Sequence, residues 1–116
     1  MVRISILYPQ RATARFDLRY YVKTHMPLSI ERLSVHPGFK GVSVEGGVSS
    51  AAPDSDPPYV ALCQYLFDSL DAFLEAYLPH AELLQADMSN YTDVEPVIQV
   101  SEVLILERPA PQPSIL

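Results

Sequence analysis

Two side chains able to exchange protons, Tyr21 and His25, stand four residues apart in the first third of the chain. Residues at this spacing lie on the same face of a helix, so both rings are expected on one wall of whatever the helix packs against. Imidazole changes its charge near neutral pH, which makes His25 a candidate general acid or base, with Tyr21 orienting it or a substrate. The alternative is a partly buried histidine that only bonds a backbone carbonyl.

Pro27 follows this pair and is expected to interrupt the helix. Proline has no N–H, and its ring crowds the carbonyl four residues earlier, here that of Lys23. A helix interrupted next to His25 can leave a cavity between itself and the sheet. The sequence therefore predicts a cleft beside the first helix, with both candidate catalytic residues on its wall.

Further side chains could line such a cleft, and half of them are tyrosines. Seven Tyr and no Trp suit a pocket for a partly polar aromatic or hydrophobic ligand, although they suit an ordinary core as well. The predicted ligand-binding residues are Tyr8, Tyr20, Met26, Leu28, Tyr65, His80, Asn90 and Tyr91. His80 can approach His25 if the two helices pack antiparallel; the alternatives are a surface position for His80 and a turn role for Asn90.

Other kinds of chemistry find little support in the sequence. The chain has no glycine-rich phosphate loop and no Gly-x-Ser-x-Gly nucleophile motif. A single cysteine, Cys63, excludes an internal disulfide and a cysteine-based zinc site, and it favours a reducing, cytoplasmic setting. The three histidines lack metal-binding spacing, so neither a metal nor another cofactor is expected.

Length and charge restrict the class of protein. A chain of 116 residues, of which 48% are hydrophobic, suits one globular domain. The net charge of −6 argues against nucleic acid as a partner, even though residues 1–40 alone carry seven basic and two acidic residues. No apolar run approaches the length of a membrane span, so a membrane is not expected as a partner either.

Hydrophobic periodicity predicts the elements that must position these residues. The predicted strands are residues 2–8, 39–46, 59–67 and 94–107, and the predicted helices run from 17 to about 34, from 68 to about 78, and from 79 to 87. Asp17 and Asp68 are the expected N-caps. The order β-α-β-β-α-β predicts an α+β, ferredoxin-like fold, in which a four-stranded antiparallel sheet carries two helices on one face. This domain spans residues 1–108, and residues 109–116 form a Pro-rich tail.

The third predicted strand is apolar on both faces. Cys63 and Tyr65 lie on one face, while Val60, Leu62 and Leu66 lie on the other. Since helices cover only one face of such a sheet, the other face needs a partner. A second copy related by a two-fold axis is the simplest partner, and two facing sheets would form a dimeric α/β barrel. The alternative is a monomer with a partly apolar outer face.

Several short motifs resemble the EthD-like family of small proteins. They are Tyr20-Tyr21 with His25-Met26-Pro27-Leu28, the strand end Leu7-Tyr8-Pro9, Phe16-Asp17, Pro58-Tyr59-Val60-Ala61, Phe67-Asp68-Ser69-Leu70-Asp71-Ala72-Phe73, and Asn90-Tyr91-Thr92 before Glu95-Pro96-Val97-Ile98-Gln99. Together they span most of residues 1–105. The resemblance implies a dimeric α/β-barrel fold with the site in a cleft between sheet and helices, and it places the histidine of the family's His-Met-Pro motif at His25.

Relatives in that superfamily include cofactor-independent monooxygenases, decarboxylases, dehydratases, polyketide cyclases and isomerases. The resemblance therefore implies a protein that binds or transforms a small hydrophobic or aromatic metabolite beside helix one, as a cofactor-independent oxidoreductase or as a lyase or cyclase. The alternatives are a non-catalytic binding or accessory protein of a degradation or biosynthetic pathway, and a purely structural dimer module. An open cavity around His25 would favour an enzyme or a binding protein, and a filled interior would exclude both.

Overall fold

The fold is built on one four-stranded sheet, seen in a computed structural model that describes residues 1–109. Its strands are β1 (Val2–Pro9), β2 (Phe39–Gly46), β3 (Tyr59–Phe67) and β4 (Val97–Glu102). Their spatial order is β2-β3-β1-β4, and each neighbouring pair is antiparallel. The α+β class and the four-stranded antiparallel sheet are confirmed. The predicted tail, apart from Pro109, lies outside the described residues.

Two helical stretches connect the strands. The first helical stretch consists of α1 (Leu18–Tyr20), a π-helical segment (Tyr21–His25) and α2 (Met26–Leu33). The second helical stretch consists of α3 (Leu70–Tyr77), a 3-10 turn (Leu78–His80), α4 (Ala81–Asp87) and a second 3-10 turn (Met88–Asn90). Within residues 1–109, no helix combines the length and the apolar composition that crossing a membrane requires.

The predicted interruption at Pro27 takes the form of the π-helical segment. Because Pro27 has no N–H, the carbonyl of Lys23 loses its usual helical donor. Just before this point the helix widens, and the N–H of Met26 bonds the carbonyl of Tyr21, five residues back. Tyr21 and His25 are the first and last residues of the widened segment, and both are buried.

One of the two predicted helix caps is correct. The carboxylate of Asp17 accepts the N–H of Tyr20 at 3.0 Å, as expected for an N-cap. Asp68 was the wrong choice, because the second helical stretch begins at Leu70 and the hydroxyl of Ser69 accepts the N–H of Ala72 at 3.1 Å. The exposed carboxylate of Asp68 lies instead 3.6 Å from the Lys40 ammonium.

The core lies between the two helical stretches and one face of the sheet. The alternate residues of β1 face this core, since Ile4 and Tyr8 are buried there and Val2 and Ile6 pack beside them. The strand and helix residues that form the buried cluster are Ala61, Cys63, Tyr65 and Phe67 from β3 together with Tyr21, Met26, Leu33, Phe73, Ala76 and Leu84. This layer positions the rings that reappear in the site below.

The opposite face of the sheet, called the open face here, does not carry the helical stretches, although Ser5 and Leu66 on it are buried. Strand register places a polar row, Ser43, Gln64, Ser5 and Gln99, across the middle of all four strands. Apolar residues flank this row, among them Leu7, Leu62 and Leu66. The flanking rows also carry Arg3, Glu45 and Ser101, so the open face is polar along its centre and mixed at its margins.

The last strand is shorter than the predicted residues 94–107. β4 pairs with β1 from Leu7↔Val97 to Val2↔Glu102, so its ladder ends where β1 itself begins. One more backbone bond joins the N–H of Val103 to the carbonyl of Met1. Beyond it the apolar side chains of Leu104 and Ile105 are each 83% exposed. The apolar run of residues 103–106 suggested a continuing strand, but beyond Val103 it has no strand to pair with among residues 1–109.

Candidate functional site

A cavity of about 350 Å³ lies between the sheet and both helical stretches. This size falls within the range of small-molecule sites in proteins. Six of the ten predicted site residues line it: Tyr8, Tyr21, His25, Met26, Tyr65 and Tyr91. The open cavity beside the first helical stretch agrees with the cleft expected from Pro27, and it opposes the purely structural alternative.

The other four predicted residues do not line the cavity. Leu28 is half-buried and packs against the core cluster. His80 belongs to the first 3-10 turn of the second helical stretch and is half-buried away from the cavity wall. Tyr20 and Asn90 lie outside the cavity, and both donate a hydrogen bond to the carboxylate of Asp87.

His25 is held by a carboxylate on the second helical stretch. Its Nδ1 lies 2.9 Å from Oδ2 of Asp87, the last residue of α4, and His25 as a whole is 7% exposed. An ionised carboxylate only accepts hydrogen bonds, so Nδ1 must carry the proton. In the neutral imidazole, Nε2 then offers its lone pair on the opposite edge of the ring. Asp87 was not among the predicted site residues. The sequence feature that could have indicated it is its position as the last residue of the predicted helix 79–87, three residues before Asn90.

Asp87 collects two more hydrogen bonds on its other oxygen. Oδ1 accepts from the Tyr20 hydroxyl at 2.7 Å and from the Asn90 amide at 2.9 Å. Burial acts to raise the pKa of the Asp87 carboxyl, but the bonds from Asn90, Tyr20 and His25 outweigh it and lower the pKa below its ordinary value. The carboxylate is thereby kept ionised and its orientation is fixed.

Two phenols continue the chain of hydrogen bonds on the other side of His25. The Tyr91 hydroxyl lies 3.4 Å from Nε2 of His25, a long contact, and 2.7 Å from the Tyr8 hydroxyl. With Nε2 as the acceptor, Tyr91 donates to His25 and Tyr8 donates to Tyr91. Burial raises the pKa of Tyr8 to about 12 and raises that of Tyr91 further, so both phenols stay protonated. The result is one connected path, Tyr8–Tyr91–His25–Asp87.

Tyr91 is held in this position by contacts with the residues just before the first helical stretch. Its carbonyl accepts the N–H of Asp17 at 2.7 Å, and Phe16 forms an isolated β-bridge with Thr92. The rings of Phe16 and Tyr91 pack with centroids 5.5 Å apart, and Phe16 contacts Tyr8 at 5.1 Å. The residues around Asp17 therefore serve both as a helix start and as an anchor for the site.

The hydroxyl groups that line the cavity differ in how they are paired. The Tyr65 hydroxyl bonds Ser29 Oγ at 2.6 Å. Tyr21 is completely buried and its ring stacks on His25, with centroids 5.8 Å apart and planes 13° apart. Its hydroxyl has no hydrogen-bond partner among the described residues, and burial raises its pKa far above the ordinary value. Burial also raises the pKa of the neighbouring Cys63 thiol, to about 11, so this sulfur is not a thiolate at neutral pH.

The cavity wall carries little formal charge. Neither Lys nor Arg lines it, and its acid, Glu95, is exposed. No group of three His, Cys, Asp or Glu side chains converges within residues 1–109 in a way that could hold a metal ion. The arrangement can therefore bind an apolar molecule, donate hydrogen bonds to it, and move a proton through His25.

Replacing Asp87 with Asn tests whether the carboxylate holds His25. At neutral pH we expect Asp87→Asn to lower the free energy of unfolding by about 1–2 kcal/mol, because the amide cannot replace the charged acceptor. The pKa of Asp87 is lower in the folded protein than its ordinary value. The difference in free energy of unfolding between the two proteins is therefore complete above the ordinary pKa, and it disappears as the pH falls through the folded-state pKa.

Urea unfolding of both proteins, measured from neutral pH down to about pH 2, checks this prediction. Asp56→Asn, the same change at an exposed acid in the loop before β3, is the control and is expected to change the free energy of unfolding little. A stability difference for Asp87→Asn that persists unchanged into acid would contradict the assignment.

Comparison with known proteins agrees with the fold and with the resemblance noted in the sequence. The family model of the EthD domain matches residues 10–95, about three quarters of the chain. An EthD-like protein from Ralstonia eutropha JMP134 is 35% identical with a TM-score of 0.84, and the match covers 91% of this chain and 94% of that one. No curated protein matches.

Two more distant structures share the fold. An ethyl tert-butyl ether (EthD) family protein from Bacillus halodurans C-125 is 18% identical, with a TM-score of 0.65 and coverage of 90% of this chain and 99% of that chain. HapK from Hahella chejuensis is 19% identical, with a TM-score of 0.55 and coverage of 96% and 100%. The family match and the 35% identity over nearly the whole chain are sufficient evidence, and the chain belongs to the EthD family.

Proposed function

We propose that this protein binds and transforms a small hydrophobic or aromatic metabolite in the cavity, with His25 as the general acid or base and without a metal or another cofactor. The observation that carries the proposal is the His25–Asp87 pair on the wall of an open cavity. A histidine that only filled the core would need neither a carboxylate partner nor an empty space beside its ring. Tyr21, stacked on His25, helps to hold the imidazole in place.

The geometry supports proton transfer at Nε2 of His25. With Nδ1–H committed to Asp87, Nε2 takes a proton from an acidic C–H or O–H of the ligand, either directly or through Tyr91. Asp87 stabilises the imidazolium that forms, and the proton can return to another atom of the ligand. Such a step suits a lyase or cyclase, and it also begins an oxidation by dioxygen of an electron-rich ligand that has lost its proton.

A second candidate is a non-catalytic binding or accessory protein of a degradation or biosynthetic pathway. One observation favours it: Nε2 of His25 and the hydroxyls of Tyr8 and Tyr91 are already bonded to one another without a ligand. A site whose polar groups satisfy each other can bind an apolar molecule without chemistry. Turnover separates the two candidates.

Replacing His25 with Ala tests the catalytic role. Compounds that raise the melting temperature in a thermal-shift screen of aromatic and hydrophobic metabolites are first tested for conversion by mass spectrometry. We expect His25→Ala to reduce turnover of a converted compound by about 10²–10⁴-fold, because the proton acceptor is lost, and to change its affinity little.

His80→Ala is the matched control, since His80 does not line the cavity, and it is expected to leave turnover and affinity unchanged. Full turnover by His25→Ala would contradict the catalytic role. Binding without conversion by the wild-type protein would favour the second candidate.

We also propose that the protein is a cytoplasmic homodimer, joined through the open faces of two sheets into a dimeric α/β barrel. Apolar residues of the open face support this, because Leu7 and Leu62, which are paired on adjacent strands, are only half-buried there. A second copy would cover these side chains and pair the two polar rows, whose amides and hydroxyls can bond one another or water. The single cysteine supports a reducing, cytoplasmic setting.

Light scattering after size-exclusion chromatography tests the dimer. At micromolar concentration we expect about twice the chain mass of 12.9 kDa. Leu62→Arg, which places a charge on the open face, is expected to yield monomers. Leu83→Arg is the control, because Leu83 is 46% exposed on α4, away from the open face. A wild-type mass of one chain would exclude the dimer.

A further inference from the structure

We infer that the Tyr21 hydroxyl selects the chemistry of the ligand: it donates a hydrogen bond to an uncharged acceptor oxygen, such as a ketone, on an otherwise apolar molecule. This inference rests on the proposed function, because it takes the cavity as a site for a small ligand. It adds the class of ligand and names the group that recognises it.

The first argument is that the Tyr21 hydroxyl is unpaired while its neighbours are paired. Tyr8 bonds Tyr91, and Tyr65 bonds Ser29. Among the buried side-chain nitrogen and oxygen atoms of the described residues, the Tyr21 oxygen is the one that lacks a partner. The Cys63 thiol is close enough for each group to affect the pKa of the other as a hydrogen bond would, but the two side chains do not meet the distance and angle of a hydrogen bond, and sulfur is a weak acceptor.

The second argument is the position of this hydroxyl. Tyr21 is completely buried, yet it lines the cavity. Bulk water cannot satisfy the group in place of a protein partner, and buried polar groups are normally hydrogen-bonded. An acceptor oxygen on a ligand in the cavity would supply the missing bond once the ligand displaces the side chains that shield the hydroxyl from water. The unpaired hydroxyl and the cavity that Tyr21 lines are thus explained together.

The third argument concerns charge. Burial keeps Tyr21 protonated, so it is a neutral donor and not an anion. The cavity wall has no Lys or Arg that could compensate a carboxylate or phosphate, and the path through His25 ends at an ionised Asp87. An anionic ligand would lose its hydration without gaining a counter-charge. A neutral oxygen meets no such penalty.

Three compounds with the same bicyclic ring system test the inference: 1-tetralone, tetralin and tetralin-1-carboxylate. Dissociation constants are measured by calorimetry for the wild-type protein, Tyr21→Phe and Tyr65→Phe. We expect the wild-type protein to bind the ketone about tenfold more tightly than tetralin, as one added hydrogen bond implies, and to bind the carboxylate most weakly. Tyr21→Phe should abolish the preference for the ketone, and Tyr65→Phe, whose lost hydroxyl was already paired, should keep it.

Thermal unfolding without ligand provides a second readout. Tyr21→Phe removes an unpaired buried hydroxyl and is expected to raise the melting temperature. Tyr65→Phe makes the same change in the same cavity but leaves Ser29 without its partner, and it is expected to lower the melting temperature. Equal losses in the two variants would show that the Tyr21 hydroxyl is paired in solution, and would overturn the inference.

The binding results separate failure of the inference from failure of the proposed function. Equal affinity of the wild-type protein for 1-tetralone and tetralin, a preference that survives in Tyr21→Phe, or a carboxylate that binds as tightly as the ketone would each overturn the inference and leave the ligand cavity intact. If none of the three compounds bound to the wild-type protein, the inference and the proposed ligand site would both fall.

Discussion

The carboxylate of Asp87 is the contact on which the site depends. It ends α4 and bonds two residues of the first helical stretch, Tyr20 and His25. Hydrogen bonds to a charged group contribute about 1.5–3 kcal/mol each when buried, and less when partly exposed as here. They join the two helical stretches beside the cavity and they orient the imidazole. Asp87 thereby fixes both the tautomer of His25, with the proton on Nδ1, and the orientation of its ring.

The π-helical segment places His25 where Asp87 can reach it. Pro27 removes a helical donor, and the helix widens over Tyr21–His25 instead of ending. The wider turn brings Tyr21 and His25 into a stacked pair on the wall of the cavity. Local structure of this kind costs stability and is often found at functional sites. The unpaired hydroxyl of Tyr21 is a second such cost in the same place.

Features that depend on neighbours in the chain could be predicted from the sequence. Period-2 alternation located the buried face of β1, and the spacing of Tyr21 and His25 located one wall of the cavity. The missed features depend on contacts between distant residues. Asp87 acts on His25 from another helix, and residues 103–107 failed to extend β4 because β1 supplies no further partner. The cap at Ser69 was missed because a one-residue shift in a helix start cannot be read from two adjacent polar residues.

The protonation of His25 is the most direct test of this account. A long-range proton–nitrogen NMR spectrum of the neutral imidazole distinguishes which ring nitrogen carries the proton, and it requires no knowledge of the ligand. If Asp87 holds the ring, the wild-type protein shows a protonated Nδ1 and a free Nε2, and Asp87→Asn loses this bias. A wild-type spectrum with the proton on Nε2 would contradict the account, because His25 would then present neither the bond to Asp87 nor a base to the cavity.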